Sequence, residues 1–348
     1  MSSTEDTPTR HSKPKIAMLT SFCVDDLATV AESLPDQVSY IEVYAFMQKN
    51  LRFLFGELPT TVGSRNALWV MSDAYEDPDA PKNTAQKLAE VFDGKTIVSL
   101  ATFLPELSAH EEFKPAWMAA RKALMFLVLL ARKLNDYNHQ VRTIEFVGGS
   151  VVDGVWLGLD GSDEKIYVVN RLQSGEAVDR ILRRLLPVAQ LAAKEPRISL
   201  ALELEPGPLF AAGDRYSVLD FCRKVATHES TCIQQVVGVN LDIAHWAFLE
   251  GIDNDWISEH PVVLNRIIHA HICDHSKGHI NDARPLTFHS ELEFQPMLRL
   301  LRNLMQRRST ENAPRFSGIL TCEMECCESK EVVAETFTTL EELVKRSY

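Results

Sequence analysis

The chain has 348 residues, with 36 Lys and Arg against 48 Asp and Glu, so its formal net charge is −12. That acid excess argues against a nucleic-acid partner, whose phosphates need a basic face, and against an anionic membrane surface. The longest apolar run, Ala123 to Ala131, is nine residues, too short to span a bilayer.

Met1 to Pro14 is polar throughout and has no apolar stretch. It reads as a disordered lead-in, not a secretory signal, and residues 15–348 read as one domain. The seven cysteines are scattered, and no CxxC pair occurs. Free thiols in a reducing, cytoplasmic setting fit that pattern better than a disulfide scaffold.

In chain order, short apolar β-rich runs alternate with longer amphipathic ones. Strands are predicted at Ile16–Phe22, Tyr40–Tyr44, Thr96–Thr102, Thr143–Val147, Ile198–Glu205, Val236–Leu241, Ile267–Ile272 and Gly318–Met324. Helices are predicted at Val24–Leu34, Asn83–Val91, Ala116–Leu134, Glu176–Ala193, Ser217–Ala226, Phe294–Gln306 and Lys330–Lys345, with a shorter one after Ala244. Runs of this kind suit buried parallel strands joined by crossover helices. Eight strands with about as many helices predict an α/β fold, the (β/α)8 barrel, which needs about 250 residues. The surplus belongs in loops, chiefly Met47 to Pro81 and a β-hairpin after the fourth strand, Val155–Leu159 and Lys165–Asn170 around Asp160-Gly161. Loops after barrel strands lie on the catalytic face, so Trp156 of this hairpin is a candidate substrate contact. A doubly wound open sheet is the rival fold. It lacks support because no GxGxxG turn follows the first strand.

The chemistry gathers in the late strands. Side chains alternate across a strand, so Ser199, Ala201, Glu203 and Glu205 share one face of SLALELEPG. The sixth strand ends at Asp242, with His245 three residues on. The seventh carries His269 and His271 on one face, followed by Asp274, His275, His279, Asp282 and Arg284 in the next loop. The eighth places Thr321, Glu323 and Glu325 on one face. Four successive strands thus end in a metal-competent residue: Glu203, Asp242, His271 and Glu323. In a closed barrel these ends converge. Three carboxylates and an imidazole describe a site for one divalent ion, Mn2+ first, with Zn2+, Co2+ or Mg2+ as alternatives. A single strand-end acid is more often a helix cap, and the coincidence over four strands is what favours the metal. His269 reads as a satisfied core residue. Cys273, Cys322, Cys326 and Cys327 read as structural thiols.

The segments LALELEPG, GVNLDIAH, HAHICDH with the later GHIND, and GILTCEME resemble the xylose-isomerase-like barrel superfamily. This group holds sugar phosphate isomerases and epimerases, ketose 3-epimerases, inosose dehydratases and abasic-site endonucleases. The resemblance implies that Glu203, Asp242, His271 and Glu323 hold the metal. The placement of Glu203 and Glu323 on strands five and eight, across part of the mouth, makes them the candidate acid/base pair, while the resemblance implies that His245 contacts substrate. Glu205, Asp274, His279, Asp282 and Arg284 join it as candidate substrate-binding residues. The reaction implied is isomerisation or epimerisation of a carbohydrate, through proton abstraction beside a carbonyl and a metal-stabilised enediolate. A keto-polyol dehydratase or lyase and a non-catalytic metabolite-binding barrel are the alternatives. Leu204 stands where many relatives carry Asn. Strands two and three offer none of the extra histidines of the endonuclease branch, which disfavours that activity. Relatives are often dimers or tetramers, so a homo-oligomer is an open option.

Overall fold

A computed structural model describes residues 13–22, 26–44, 48–55, 66–148, 174–205, 210–248, 254–274, 285–286, 294–307, 313–324 and 329–347. Within these lie eight parallel strands: β1 Lys15–Leu19, β2 Tyr40–Tyr44, β3 Thr96–Phe103, β4 Thr143–Val147, β5 Ser199–Glu203, β6 Val237–Asp242, β7 Ile267–Ile272 and β8 Ile319–Cys322. They pair in chain order and close into a barrel, with Ala17 of β1 against Thr321 of β8. The (β/α)8 expectation is therefore met. Of the lead-in, residues 1–12 lie outside the described residues, and Pro14 is already buried. The hairpin after β4, with Trp156, also lies outside them.

The outward faces of the strands make the main core. Ile41, Val43, Leu100, Ile144, Phe146, Leu202, Val239, Leu241, Ile272 and Leu320 pack with the buried stripes of the surrounding helices. The central helix, Lys114–Asp136, contributes Leu124, Leu127, Leu130 and Leu134. Each such fully buried aliphatic side chain is worth about 1.5–3 kcal/mol.

The inward faces form layers along the barrel axis. Ala17, Val98 and Ile319, with Tyr40, plug the N-terminal end. Beyond them come buried polar groups: Glu42, Ser99, Asn240, His269 and Thr321. The acids of the mouth follow.

Several boundaries differ from the expectation for identifiable reasons. The first strand stops at Leu19, and Thr20–Phe22 forms a 3-10 turn. There Thr20 Oγ1 accepts the amide of Tyr44 (2.8 Å) and Ser21 Oγ donates to the carbonyl of Met324 (3.0 Å), so side chains take over backbone pairing. The first helix begins at Leu27, because Asp26 caps it by accepting the amides of Ala28 and Thr29. The stretch Met47 to Pro81, expected to be loop, contains helices at Gln48–Phe55 and Asn66–Glu76. Its apolar residues are used in packing: Leu51, Leu54, Leu68 and Met71 are buried.

Gly238 permits the close approach of β6 and β7. A Cβ there would meet the carbonyl oxygen of Arg266 at 2.5 Å and the Ile268 side chain at 2.8 Å. The backbone atom cannot yield without moving β7, the strand that carries His271. Gly238→Ala should destabilise the protein by about 1–3 kcal/mol, read as a lower midpoint of denaturant unfolding. A midpoint equal to wild type would show that the two strands do not depend on this contact.

Candidate metal centre

Strand alternation and barrel closure deliver the four nominated side chains to one place. One ligand atom from each of Glu203, Asp242, His271 and Glu323 lies within 4.8 Å of all the others. Glu203 ends β5, Asp242 ends β6, and His271 is next to last in β7. Glu323 stands one residue past β8, held to β7 by its amide, which donates to the carbonyl of Ile272 (3.0 Å). Glu323 is the most open of the four, with its side chain 14% exposed. The opposite faces of these strands, Leu202, Leu241, Ile272 and Cys322, sit in the main core.

Asp242 serves two functions with its two oxygens. Oδ1 accepts the amide of His245 (2.6 Å), as a helix cap does, and starts the helix Ile243–Phe248. Oδ2 is buried and receives no donor. The same turn brings His245 inward. Its Nδ1 lies 3.6 Å from Glu203 Oε1 and 4.0 Å from Glu205 Oε2, too far for a hydrogen bond, and is itself unpaired. Glu205 and Asp274 are both buried. Trp156, His275, His279, Asp282, Arg284 and Glu325 lie outside the described residues.

His271 is gripped from both sides. Nδ1 faces Glu323 Oε2 (3.0 Å) and Glu203 Oε1 (3.7 Å), and Nε2 faces Glu42 Oε2 (3.2 Å). His269 makes two contacts, with Glu42 (2.9 Å) and Ser317 Oγ (3.3 Å), as a satisfied core histidine should. Cys322 packs outward in the core. Burial first, and then the neighbouring acids, push the Cys273 thiol well above its usual range, so it is no thiolate.

Three inward residues were not singled out from the sequence. Glu42 of β2 and Glu145 of β4 are fully buried acids, and Asn240 of β6 donates to Glu203 Oε1 (3.4 Å). Alternation held the signal. In YIEVY the acid opposes Ile41 and Val43, and in TIEFV it opposes Ile144 and Phe146. Both strands nevertheless read as uniformly apolar because the acid is isolated.

The electrostatics of the cluster are dominated by burial and by repulsion among its acids. Burial, and then repulsion from Glu145 and Glu323, hold Glu203 well above the usual carboxylate range. Burial raises Glu145, Glu205 and Asp242 as well. Burial would raise Glu323 too, but His271 beside it draws it below the ordinary value. For His245, burial opposes the proton, yet Asp242, Glu205 and Glu323 outweigh it and lift the ring from 6.5 to about 9. A divalent cation at this place would offset the same repulsion and draw these groups back down. The donor set, its spacing and the unpaired Asp242 Oδ2 all fit a divalent ion.

No protein-family model matches the chain, and no curated protein matches it. Solved structures do. One is a putative sugar phosphate isomerase/epimerase from Anabaena variabilis, at TM-score 0.60 and 12% identity, covering 97% of this chain and 100% of that one. A D-allulose 3-epimerase from Methylomonas sp., in complex with D-allulose, aligns at TM-score 0.54 and 12% identity over 95% of this chain and 98% of that one. A mannonate dehydratase from Streptococcus suis serotype 2 aligns at TM-score 0.55 and 10% identity over 97% and 94%. The chain therefore shares the closed (β/α)8 fold of these solved structures. Among the described residues no helix is long and apolar enough to cross a membrane.

A pH dependence follows from the raised groups. The folded state holds protons on His245, His271, Glu203, Glu145, Glu205 and Asp242 that the unfolded chain releases sooner. For His245 the stabilisation is complete below its ordinary 6.5 and is lost as pH rises through about 9. The raised carboxyls act in the same direction. Chelator-treated protein should therefore melt at progressively lower temperature across that window in calorimetry, and a divalent cation should restore much of the loss. A flat melting profile would contradict the charge crowding described here.

Proposed function

We propose that this chain is a divalent-metal-dependent sugar isomerase or epimerase, with a carbohydrate as its substrate. The observation that carries the reading is the convergence of Glu203, Asp242, His271 and Glu323 within 4.8 Å at the C-terminal end of the barrel, where enzymes of this architecture place their chemistry. The shared fold with sugar isomerases and epimerases, one of them solved with D-allulose, supports it.

These four residues would hold the ion. When bound, it supplies Lewis acidity that draws electron density from a substrate carbonyl and favours the enediolate. The chain's own groups do the rest. Glu203 and Glu323 come from β5 and from the end of β8, so two carboxylates address the same small volume. One removes the proton from the carbon beside the carbonyl, and the other returns a proton to the opposite face or to the neighbouring carbon. His245, with Nδ1 unpaired, is placed to hold a substrate hydroxyl, with Glu205 Oε2 4.0 Å away. A dehydratase is the second reading, favoured by the mannonate dehydratase of the same fold. The two reactions share proton removal and differ in whether a hydroxyl then leaves.

Metal analysis should find one divalent ion per chain, and added Mn2+ should raise the melting temperature of stripped protein. No ion and no stabilisation by Mn2+ or Zn2+ would end the metal reading. The reaction is tested by incubating the metal-loaded protein with a panel of ketoses and aldoses in deuterated water. Deuterium should enter beside the carbonyl with no loss of water from the sugar, and an unsaturated or deoxy product would instead select the dehydratase. Glu203→Gln and Glu323→Gln should each slow the exchange by about 100- to 10,000-fold while keeping the far-ultraviolet spectrum of wild type. Exchange at the wild-type rate in either variant would remove that residue from the proton-transfer role.

A further inference from the structure

Beneath the four proposed ligands sits a carboxylate that none of the chemistry above uses. Glu42 comes from β2, on the far side of the lumen from β6, and is wholly buried. One of its oxygens, Oε2, has three donors: Nε2 of His269 (2.9 Å), Nε2 of His271 (3.2 Å) and Oγ1 of Thr321 (2.6 Å). The other, Oε1, has none. Among the described residues, no Lys or Arg side chain is one of its hydrogen-bond or ion-pair partners. A buried anion is a costly way to support packing, which an apolar side chain of similar size would do at lower cost. Its partners show what it does supply.

With a cation at the four proposed ligands, these contacts would set which nitrogen of each ring keeps its hydrogen. A hydrogen on His269 Nε2 leaves Nδ1 to accept from Ser317 Oγ, 3.3 Å away. A hydrogen kept on His271 Nε2 and donated to Glu42 makes Nδ1 the nitrogen that gives up its hydrogen, and so offers a lone pair, when a cation binds. That is the atom that faces Glu323 Oε2 at 3.0 Å and Glu203 Oε1 at 3.7 Å. A carboxylate on the rear nitrogen of a metal-bound imidazole fixes the ring's orientation and raises the basicity of the front nitrogen.

We propose that Glu42 is a positioning residue for the metal centre, a buried anion that holds His271 in its Nε2–H form and aims Nδ1 at the site formed with Glu203, Asp242 and Glu323. This inference rests on the metal reading of those four residues. It also selects between two clusters, because Glu42, His269 and His271 have ligand atoms within 4.8 Å of one another as well. There the inward oxygen is filled by three donors and the second His269 nitrogen is taken by Ser317. That cluster is support for one ion, not a second site.

The test compares wild type with Glu42→Gln and His269→Gln after chelation. Gln at 42 keeps the shape and one acceptor but removes the charge behind His271. Gln at 269 disturbs the same buried layer while leaving the Glu42–His271 contact in place. Calorimetric titration with Mn2+ should give one ion per chain in all three proteins. Glu42→Gln should bind about 10- to 100-fold more weakly, and His269→Gln should bind close to wild type. Proton–nitrogen spectra of Zn2+-loaded wild type with ring-labelled histidine should show His271 protonated at Nε2 and metal-bound at Nδ1. That measurement decides the matter even if Glu42→Gln does not fold. Equal affinity in Glu42→Gln and wild type, or the reverse ring form of His271, would overturn the role of Glu42 and leave the metal reading standing. Two ions in wild type with one lost in Glu42→Gln would make Glu42 a ligand and overturn it too. Wild type that binds no ion would remove the metal reading and this one with it.

Discussion

Taking an ionised carboxylate out of water costs several kcal/mol unless it is paired. Glu42, Glu145, Glu203, Glu205, Asp242 and Glu323 are all withdrawn into one barrel lumen. Their two histidine neighbours His245 and His271 are drawn to the protonated state, and several of the carboxyls hold protons above their usual range. The rest of the lumen is arranged so that this concentration of charge can exist. The barrel closes to bring the strand ends together. An apolar plug at the opposite end keeps water from entering from below. Polar side chains between the two layers supply the donors that backbone pairing cannot.

Within that arrangement the acids are not equivalent. Glu42 is saturated by three donors on one oxygen and sits below the mouth. Asp242 divides its oxygens between capping a helix and facing the site. Glu323 lies just beyond its strand and is the most open, so of the four it has the readiest access to whatever enters. These differences place like charges in distinct settings, which is what the proposed division between holding a cation and exchanging a proton requires.

The proposed reaction and its dehydratase alternative are two chemistries of one fold. Removing a proton beside a carbonyl is common to epimerisation, isomerisation and dehydration. The centre proposed at the ends of β5 to β8 would serve that shared step. The later choice depends on which groups approach the substrate's hydroxyls, and in this architecture those groups come from loops after the strands.

Strand periodicity, read alone, put Glu203 opposite Leu202, and Glu323 opposite Cys322. The Asp242-x-x-His245 spacing anticipated a turn that carries both residues inward. These readings needed only local rules, the two-residue alternation of a strand and the capping of a helix, and they sufficed for the barrel and the four late-strand residues. Glu42 and Glu145 were present in the same alternation, yet each is one acid in a short apolar strand, and nothing local says which face of such a strand is the lumen. The helices Gln48–Phe55 and Asn66–Glu76 were hidden for a related reason, because their apolar residues find partners only once the barrel is closed. What the tertiary structure alone decided is that β2, far in sequence from β7, sends its carboxylate beneath His271. Barrel closure brings residues 42 and 271 within hydrogen-bonding distance, and no periodicity along the chain encodes that contact.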